Sequence, residues 1–150
     1  MIVLGVDQAN STGYAHSISG SGTWVHKPNP KQHPGMKWLE FKKTLSSFLK
    51  QNPTDLIVYE DAHHRGKAAT ASGYGYIACI QMVAATHGIE VESRHSASIK
   101  KWATGKGTAS KKQMVEACEK KFGYKPETDD EADAIWIMDM VVNEEKKDDS

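Results

Sequence analysis

The sequence has few cysteines, no long apolar run and no signal peptide, as is typical of ordinary globular proteins. It has two cysteines in 150 residues, and their spacing matches neither a zinc site nor a disulfide framework. We therefore expect Cys79 and Cys118 to be buried free thiols in a reducing compartment. No apolar run reaches the length of a membrane-spanning helix, and the first residues lack the basic and apolar regions of a signal peptide. These absences predict a cytosolic protein without a membrane partner.

The chain also lacks net charge, because 19 basic residues balance 19 acidic ones. This balance hides two blocks of opposite sign. Residues 94–121 contain eight Lys or Arg and two Glu, whereas residues 127–150 contain ten acids and two Lys. A basic block suits a phosphate backbone, and an acidic block suits a metal or only keeps a surface solvated. Charge by itself leaves open whether these blocks are functional or are two solvated helix faces.

The length is sufficient for one domain with a sizeable core, and the hydrophobic pattern predicts an α/β fold with a mixed sheet. Strands are predicted at 2–6, 14–19, 23–26, 55–60 and 89–92, with a hairpin turn at 20–22. Helices are predicted at 35–50, 71–87, 96–102, 110–122 and 128–142. The first three strands are typical of an antiparallel meander, and the later alternation of helix and strand indicates parallel pairing. We expect one domain over residues 1–143 and a charged, frayed tail over 144–150.

The last predicted helix begins with an unusual density of acids. Thr128 and Glu131 have the spacing of a capping box, and the apolar residues after them predict a helix that is buried on most sides. Asp130 and Asp133 lie one turn apart on one face of its start. The helix dipole favours acids at such a position, but clustered carboxylates are also the ligands of hard divalent cations. The helix alone leaves both interpretations open.

Two further acids end the strands that are predicted to be most buried, Asp7 and Glu60. If these strands are parallel neighbours, both acids lie at the carboxyl edge of the sheet, where ligands bind in α/β folds. Asp130 and Asp133 would complete a group of four carboxylates. Such a group suits two Mg²⁺ (or Mn²⁺) ions, which stabilise the attacking and leaving oxygens of a phosphodiester. Asp61 follows Glu60 in an extended chain and should point to the opposite face.

Four segments resemble the RuvC family of Holliday junction resolvases, which have the RNase H fold. These segments are, in order, DQANSTGYA, IVYED, ASIKKWATGKGTASKKQMV and DEADAIWIM. The resemblance implies a homodimeric, metal-dependent endonuclease that cleaves four-way (Holliday) or branched DNA. It also implies that Asp7, Glu60, Asp130 and Asp133 are the catalytic, metal-binding acids. Lys111 falls on a catalytic lysine that would offset charge in the transition state.

The chain departs from that family at two places. Gln8-Ala9 stand where bacterial members usually have Pro-Gly, and His63 stands where they place a wedging aromatic residue. These departures and the short chain look more like a phage-type member, in the cytosol of a bacterium or of a phage-infected cell. Residues with basic or stacking side chains are expected to hold the DNA and to make its affinity salt-dependent. They are His63, His64, Arg65, Lys67, Lys100, Lys101, Lys106 and Lys112.

The helix at 71–87 is the predicted dimer interface, because its small residues would let two helices approach closely. The predicted contact residues are Ser72, Gly73, Tyr74, Gly75, Ile77, Ala78, Ile80, Ala84 and Ala85. The alternative is that this face packs on the protein's own sheet.

Three other functions remain open at this point. One is an RNase H-fold nuclease that acts on RNA or on an RNA–DNA hybrid, and another is a junction-binding protein without catalysis. The third is a sugar-kinase or actin-like ATPase, whose first strand also ends in Asp. Ala9 and the short chain argue against the ATPase, because that class needs a glycine near the Asp and a second domain.

Overall fold

The computed structural model describes the backbone of residues 1–27, 29–61 and 67–148, and the side chains of the same ranges except 67–70 and 148. Its strands are β1 (Val3–Asp7), β2 (Ser11–His16), β3 (Gly20–Val25), β4 (Leu56–Glu60) and β5 (Glu90–Arg94). Its helices are α1 (Met36–Gln51), α2 (Lys67–His87), α3 (Ser96–Thr104), α4 (Lys111–Phe122) and α5 (Asp129–Asp148). Within these residues, no helix is both long enough and apolar enough to cross a membrane.

The strands form one mixed sheet in the order β3-β2-β1-β4-β5. The strands β1, β2 and β3 pair antiparallel as a meander, and β4 pairs parallel with both β1 and β5. The predicted mixed sheet is therefore confirmed. The parallel pairing of β1 with β4 runs in register from Val3 opposite Leu56 to Val6 opposite Tyr59. Because the two strands are parallel neighbours, their carboxyl ends lie side by side.

Helices cover both faces of this sheet. Val3 of β1 and Val58 of β4 pack with the side chains of α3, α4 and α5, whereas Leu4 and Ile57 pack with those of α1 and α2. Successive strand residues alternate between the two faces. Residue 7 therefore shares a face with residue 3, and residue 60 shares a face with residue 58. The alternation directs the acids at both strand ends toward α5.

The second and third strands each begin three residues earlier than the sequence pattern predicts. The β2 strand ends at His16, residues 17–19 form the turn, and residues 20–22, the predicted turn, belong to β3. The reason is the buried imidazole of His16, whose Nδ1 accepts hydrogen bonds from the backbone N–H groups of Ile18 and Ser19. Its Nε2 lies 3.1 Å from the carbonyl oxygen of Pro53, which requires the proton on Nε2. His16 therefore has a structural role in fixing the turn.

Two helix boundaries differ from the prediction. The α2 helix begins at Lys67, so the predicted loop at 63–70 was too long, and the alanines that follow Lys67 are strong helix formers. The α5 helix continues to Asp148, six residues beyond its predicted end at 142. Its extension is held by Glu144, whose carboxylate lies 2.8 Å from Arg94 of β5. The expectation of a frayed segment from 144 onwards was therefore wrong as far as Asp148.

The two cysteines are free and buried, as predicted. Cys79 packs in the core on the α1–α2 side, and Cys118 packs on the α5 side. Burial is the main reason why the pKa of Cys118 rises to about 11. Neither thiol is poised to react, since a reactive thiol has a lowered pKa.

Candidate metal centre

Three carboxylates meet where β1, β4 and α5 come together. Asp7 ends β1, Glu60 ends β4, and Asp133 lies on the first turns of α5. One carboxylate oxygen from each lies within 4.8 Å of the other two. The structure therefore brings together three of the four predicted acids.

The predicted fourth acid, Asp130, joins the group through Asp7. The two side chains share a hydrogen bond, and Ser11 of β2 also donates a hydrogen bond to Asp130. Asp130 is not part of the set of three whose oxygens are all within 4.8 Å of one another. It therefore lies at the edge of the cluster, one turn of α5 before Asp133.

The cluster is electrostatically unfavourable for its own members. Burial raises the pKa of Asp7 well above its usual value, and the charges of Asp133 and Glu60 raise it further. Burial, followed by the charge of Glu60, raises the pKa of Asp133 to about 7. Burial also raises the pKa of Asp130. In the metal-free protein a proton is therefore retained between these carboxylates, because burial and the charges of neighbouring acids outweigh the opposing effect of Lys111 on Asp130.

This donor set fits a hard divalent cation. Carboxylate oxygens are the ligands that Mg²⁺ prefers in proteins, and Mn²⁺ accepts the same ligands. A cation bound between these carboxylates would balance their negative charge. It would therefore displace the retained protons and lower each raised pKa. Asp7, Glu60 and Asp133 could hold such an ion, with Asp130 beside them.

Two glycines allow α5 to approach the sheet closely enough for its acids to reach Asp7 and Glu60. A Cβ atom at Gly13 of β2 would overlap the backbone carbonyl of Asp130. A Cβ atom at Gly5 of β1 would lie 2.6 Å from the carbonyl oxygen of Ala134, which is closer than Cβ atoms approach such groups. The backbone of α5 thus rests directly on β1 and β2, and Asp133 reaches the end of β1.

Glu131, which the sequence predicts only as a capping residue, is a buried acid that fixes the start of α5. Glu131 is fully buried, and its carboxylate accepts hydrogen bonds from Ser21 Oγ, from Tyr124 OH and from the backbone N–H of Glu127. Thr128 caps the helix as predicted, since its Oγ1 accepts from the N–H of Glu131. The reciprocal bond is different from the prediction, because the Glu131 side chain reaches Glu127 rather than Thr128.

Glu131 therefore connects β3, the segment before α5 and the first turn of that helix. The sequence spacing marks it as a capping residue, but no local signal identifies Ser21, which lies 110 residues earlier. Asp133 has the opposite environment, because the charges of Glu60, Asp129 and Asp130 all raise its pKa.

Lys111 lies beside the cluster rather than inside it. It is the first residue of α4, whose N-terminus is closed by a capping box between Ser110 and Gln113. Its Nζ atom lies 3.4 Å from the carboxylate of Asp129, and its side chain is 79% exposed. Its positive charge is close enough to lower the pKa of Asp130, against the larger effect of burial. The catalytic role of Lys111 stays a prediction.

The matched acid Asp61 is directed elsewhere, as expected from strand alternation. Its carboxylate lies 3.4 Å from Nδ1 of His95, and its backbone N–H donates to the carbonyl of Arg94. It is not among the three acids whose oxygens converge.

The predicted DNA-binding residues fall into two groups. Lys100 and Lys101 lie on α3, Lys106 lies in the connection to α4, and Lys112 lies on α4, where it is 85% exposed and 3.9 Å from Glu116. All of them lie on the same side of the sheet as α5. His63, His64 and Arg65 are outside the described residues, and the side chain of Lys67, the first residue of α2, is also outside them.

Comparisons with known proteins support the resemblance to RuvC. No protein-family model matches the chain. The crossover junction endodeoxyribonuclease RuvC of Corynebacterium diphtheriae is 25% identical over 128 residues, which cover 83% of this chain and 78% of that protein. The sequence similarity thus extends over most of both proteins.

Solved structures agree with this result. The structure of Thermus thermophilus RuvC with a Holliday junction substrate matches with a TM-score of 0.75 at 19% identity, covering 92% of this chain and 90% of that one. The same RuvC in a second structure matches with a TM-score of 0.73 at 16% identity, covering 92% and 91% of the two chains. The yeast mitochondrial Holliday junction resolvase Ydc2 matches with a TM-score of 0.53 at 15% identity, covering 91% and 76%. The predicted RNase H-like fold and the resemblance to the RuvC family are both confirmed.

Proposed function

We propose that this protein is an endonuclease that cleaves four-way DNA junctions by hydrolysing phosphodiesters with divalent metal ions. The observation that carries the proposal is the convergence of Asp7, Glu60 and Asp133 at the carboxyl ends of two parallel strands. The similarity to a crossover junction endodeoxyribonuclease over most of the chain supports the same activity. We place the protein with the phage-type members, because Gln8 and Ala9 follow the first acid.

Asp7, Glu60 and Asp133 would hold Mg²⁺ or Mn²⁺, with Asp130 contributing from the edge, and we propose two ions for each active site. When bound, the ions neutralise charge on the reacting phosphate and act as Lewis acids. Lys111 is positioned to place its ammonium group near the same phosphate, because it already lies beside Asp130. We propose that it stabilises negative charge that develops in the transition state.

Basic residues on α3 and α4 would hold the DNA backbone. Lys101, Lys106 and Lys112 are exposed and Lys100 is half-buried, so their ammonium groups can reach phosphates without crossing the core. We extend this role to His63, His64, Arg65 and Lys67. Contacts of this kind position the DNA without reading its sequence, and they weaken as salt concentration rises.

The test is a cleavage assay on a synthetic four-way junction, a linear duplex and an RNA–DNA hybrid, each with Mg²⁺ or with EDTA. We expect cleavage of the junction alone and only with Mg²⁺. Glu60→Gln should abolish cleavage while leaving junction binding in EDTA unchanged. Asp61→Asn is the matched control, because it changes the adjacent acid outside the cluster and should leave the rate within about threefold of wild type.

Each alternative outcome of this assay identifies a different function. If the RNA–DNA hybrid is cleaved and the four-way junction is not, the protein is the RNase H-type nuclease. Junction binding with no cleavage in either Mg²⁺ or Mn²⁺ would indicate a binding protein that lacks catalysis.

We also propose that the protein acts as a homodimer, since two strands of a junction must be cut symmetrically and a two-fold axis provides two such sites. Part of the predicted interface was wrong, because Ile77, Ile80 and Ala84 are buried in the protein's own core. The exposed part of α2 is better suited. Tyr74 is 60% exposed and Met82 is 48% exposed, which is high for apolar side chains of this size.

A second helix contributes to this apolar surface. Leu39 of α1 is 58% exposed, and a groove of about 560 Å³ lies between α1 and α2. Ala78 is exposed on α2 between Tyr74 and Met82, so it lies within the proposed interface. Small residues at this point would let the two copies of α2 approach closely.

Sedimentation of Ala78→Arg tests the dimer. We expect a monomer whose melting temperature matches that of wild type and that nicks junctions without cutting both strands together. Ser47→Arg, an exposed position about two turns from Leu39 on α1, is the control and should remain dimeric. A wild-type protein that stays monomeric with junction DNA bound would exclude this assembly.

The compartment is also a proposal. The two free thiols, Cys79 and Cys118, suit a reducing compartment, and we propose the cytosol of a bacterium or of a phage-infected cell. We further propose that residues 1–143 form the nuclease domain and that 144–150 are accessory to it.

A further inference from the structure

Gln8 occupies a special position between the two strands that carry the metal-binding acids. It follows Asp7 directly, and its Nε2 atom donates a 2.7 Å hydrogen bond to the backbone carbonyl oxygen of Glu60. The regular pairing of β1 with β4 ends one residue before both acids, at Val6 opposite Tyr59. The Gln8 side chain therefore supplies a connection between the strands where the ladder no longer does.

The hydrogen bond from Gln8 opposes the electrostatic repulsion between Asp7 and Glu60. Asp7 and Glu60 are close enough for their charges to repel, because one carboxylate oxygen of each lies within 4.8 Å of the other. On its other side, the end of β4 is held by β5, through pairing of Glu60 with Arg94. Gln8 binds the Glu60 carbonyl just beyond the last paired residues of β1 and β4, and without this bond repulsion would tend to separate the two acids.

The nitrogen and the oxygen of the Gln8 amide lie in different environments. The carbonyl of Glu60 can only accept, so the NH₂ group of Gln8 must face it and the orientation of the amide is fixed. The Oε1 atom is then buried, and it has no hydrogen-bond partner in the part of the chain that the structure describes. A buried acceptor without a partner lowers stability, whereas the bond to the Glu60 carbonyl raises it, so the two effects of the amide on folding oppose each other.

We propose that Gln8 is a positioning residue, which holds Glu60 at the correct distance from Asp7 and thereby sets the affinity of the site for its metal. The inference rests on the proposed function only in treating the acid cluster as a metal site. Groups that orient metal ligands in this way change metal affinity by about tenfold or more when they are removed. Gln8 therefore acts through Glu60 and needs no contact with DNA.

The test uses Gln8→Met, which keeps the shape of the side chain but removes both polar atoms. Mn²⁺ alone is titrated into the metal-free protein by calorimetry, melting temperatures are measured in EDTA, and junction binding is measured in EDTA. We expect Mn²⁺ affinity to fall about tenfold, while the melting temperature stays close to that of wild type and junction affinity is unchanged. A higher Mn²⁺ concentration should restore the cleavage rate. Gln51→Met, an exposed site at the end of α1, is the matched control and should match wild type throughout.

Gln8→Asn provides a second variant if the first does not fold. It keeps the amide but is one methylene shorter, so it should also lose Mn²⁺ affinity. If either folded variant binds Mn²⁺ as wild type does, the inference is overturned while the proposed function stands. A fall in melting temperature together with unchanged Mn²⁺ affinity assigns Gln8 a purely structural role and also overturns it. A wild-type protein that binds no Mn²⁺ overturns both the inference and the proposed function.

Discussion

Repulsion within the acid cluster predicts that removing one carboxylate will stabilise the metal-free protein. Asp133→Asn is the sharpest case, because burial, followed by the charge of Glu60, raises the pKa of Asp133 from 3.8 to about 7. A carboxyl group whose pKa rises on folding contributes stability that is fully present below its unfolded pKa. That stability is lost as the pH rises through the folded pKa. The loss should therefore occur between about pH 4 and pH 7 and be complete above it.

The size of the effect follows from the same values. A rise from 3.8 to about 7 corresponds to about 4 kcal/mol, because one pKa unit is equivalent to about 1.36 kcal/mol. Asp7 competes for the same proton, so we assign about half of this, about 2 kcal/mol, to Asp133 alone. For a chain of this size, 2 kcal/mol corresponds to roughly 4–8 °C in melting temperature.

The assay is thermal unfolding of wild type and Asp133→Asn at pH 8 and at pH 4, in EDTA and in Mg²⁺. At pH 8 in EDTA the variant should melt at the higher temperature, and at pH 4 the difference should largely disappear. In Mg²⁺ the order should reverse, because wild type gains about 2.7 kcal/mol when the ion is at 100 times its dissociation constant.

Asp139→Asn is the control on the same helix. Asp139 accepts hydrogen bonds from Lys121 Nζ at 2.9 Å and from Trp102 Nε1 at 3.0 Å, so its loss should destabilise the protein with or without Mg²⁺. If Asp133→Asn is no more stable than wild type at pH 8 in EDTA, the carboxylates do not repel one another as described.

Four further results are expected. Glu131→Ala should lower the free energy of unfolding in urea by about 3 kcal/mol, because it removes a buried carboxylate that accepts three hydrogen bonds; an unchanged value would mean that these bonds are not formed. Lys111→Ala should reduce the cleavage rate at saturating junction about a hundredfold with little change in affinity. Lys112→Ala should instead weaken binding and reduce the slope of log affinity against log salt by about 1. Gly13→Ala should lower both the melting temperature and Mn²⁺ affinity, since its Cβ would displace the backbone of Asp130.

The sequence predicts the parts of the site that depend on strand pattern. The apolar runs before Asp7 and Glu60 are continuous because β1 and β4 are buried on both faces, and each run ends where the chain leaves the core. The rule for the carboxyl ends of parallel strands then brings the two acids together. The strong apolar pattern after Asp133 similarly identifies α5. These features are local, because each can be identified from a short stretch of sequence without knowing which distant residues it contacts.

Other parts of the structure depend on contacts that local patterns do not encode. Alanine and glycine at many α2 positions leave the pattern too uniform to separate the buried Ile77 and Ile80 from the exposed Tyr74. The bond from Gln8 to Glu60 spans 52 residues and involves a backbone carbonyl, which carries no side-chain signature. The turn at 17–19 depends on the orientation of the His16 ring, which is set by residues near 53.

The first turn of α5 shows how structural acids can be separated from metal-binding acids. A helix dipole stabilises an acid at this position by about 0.3–1 kcal/mol, and by about 2 kcal/mol at most. The pKa of Asp133 rises to about 7, whereas a dominant dipole effect would lower it, so the dipole does not explain this acid. Glu131, two residues earlier, is more deeply buried yet has three donors from the protein itself. Since Glu131 and Thr128 already cap the helix, Asp130 and Asp133 are not needed as caps and remain free to bind a cation.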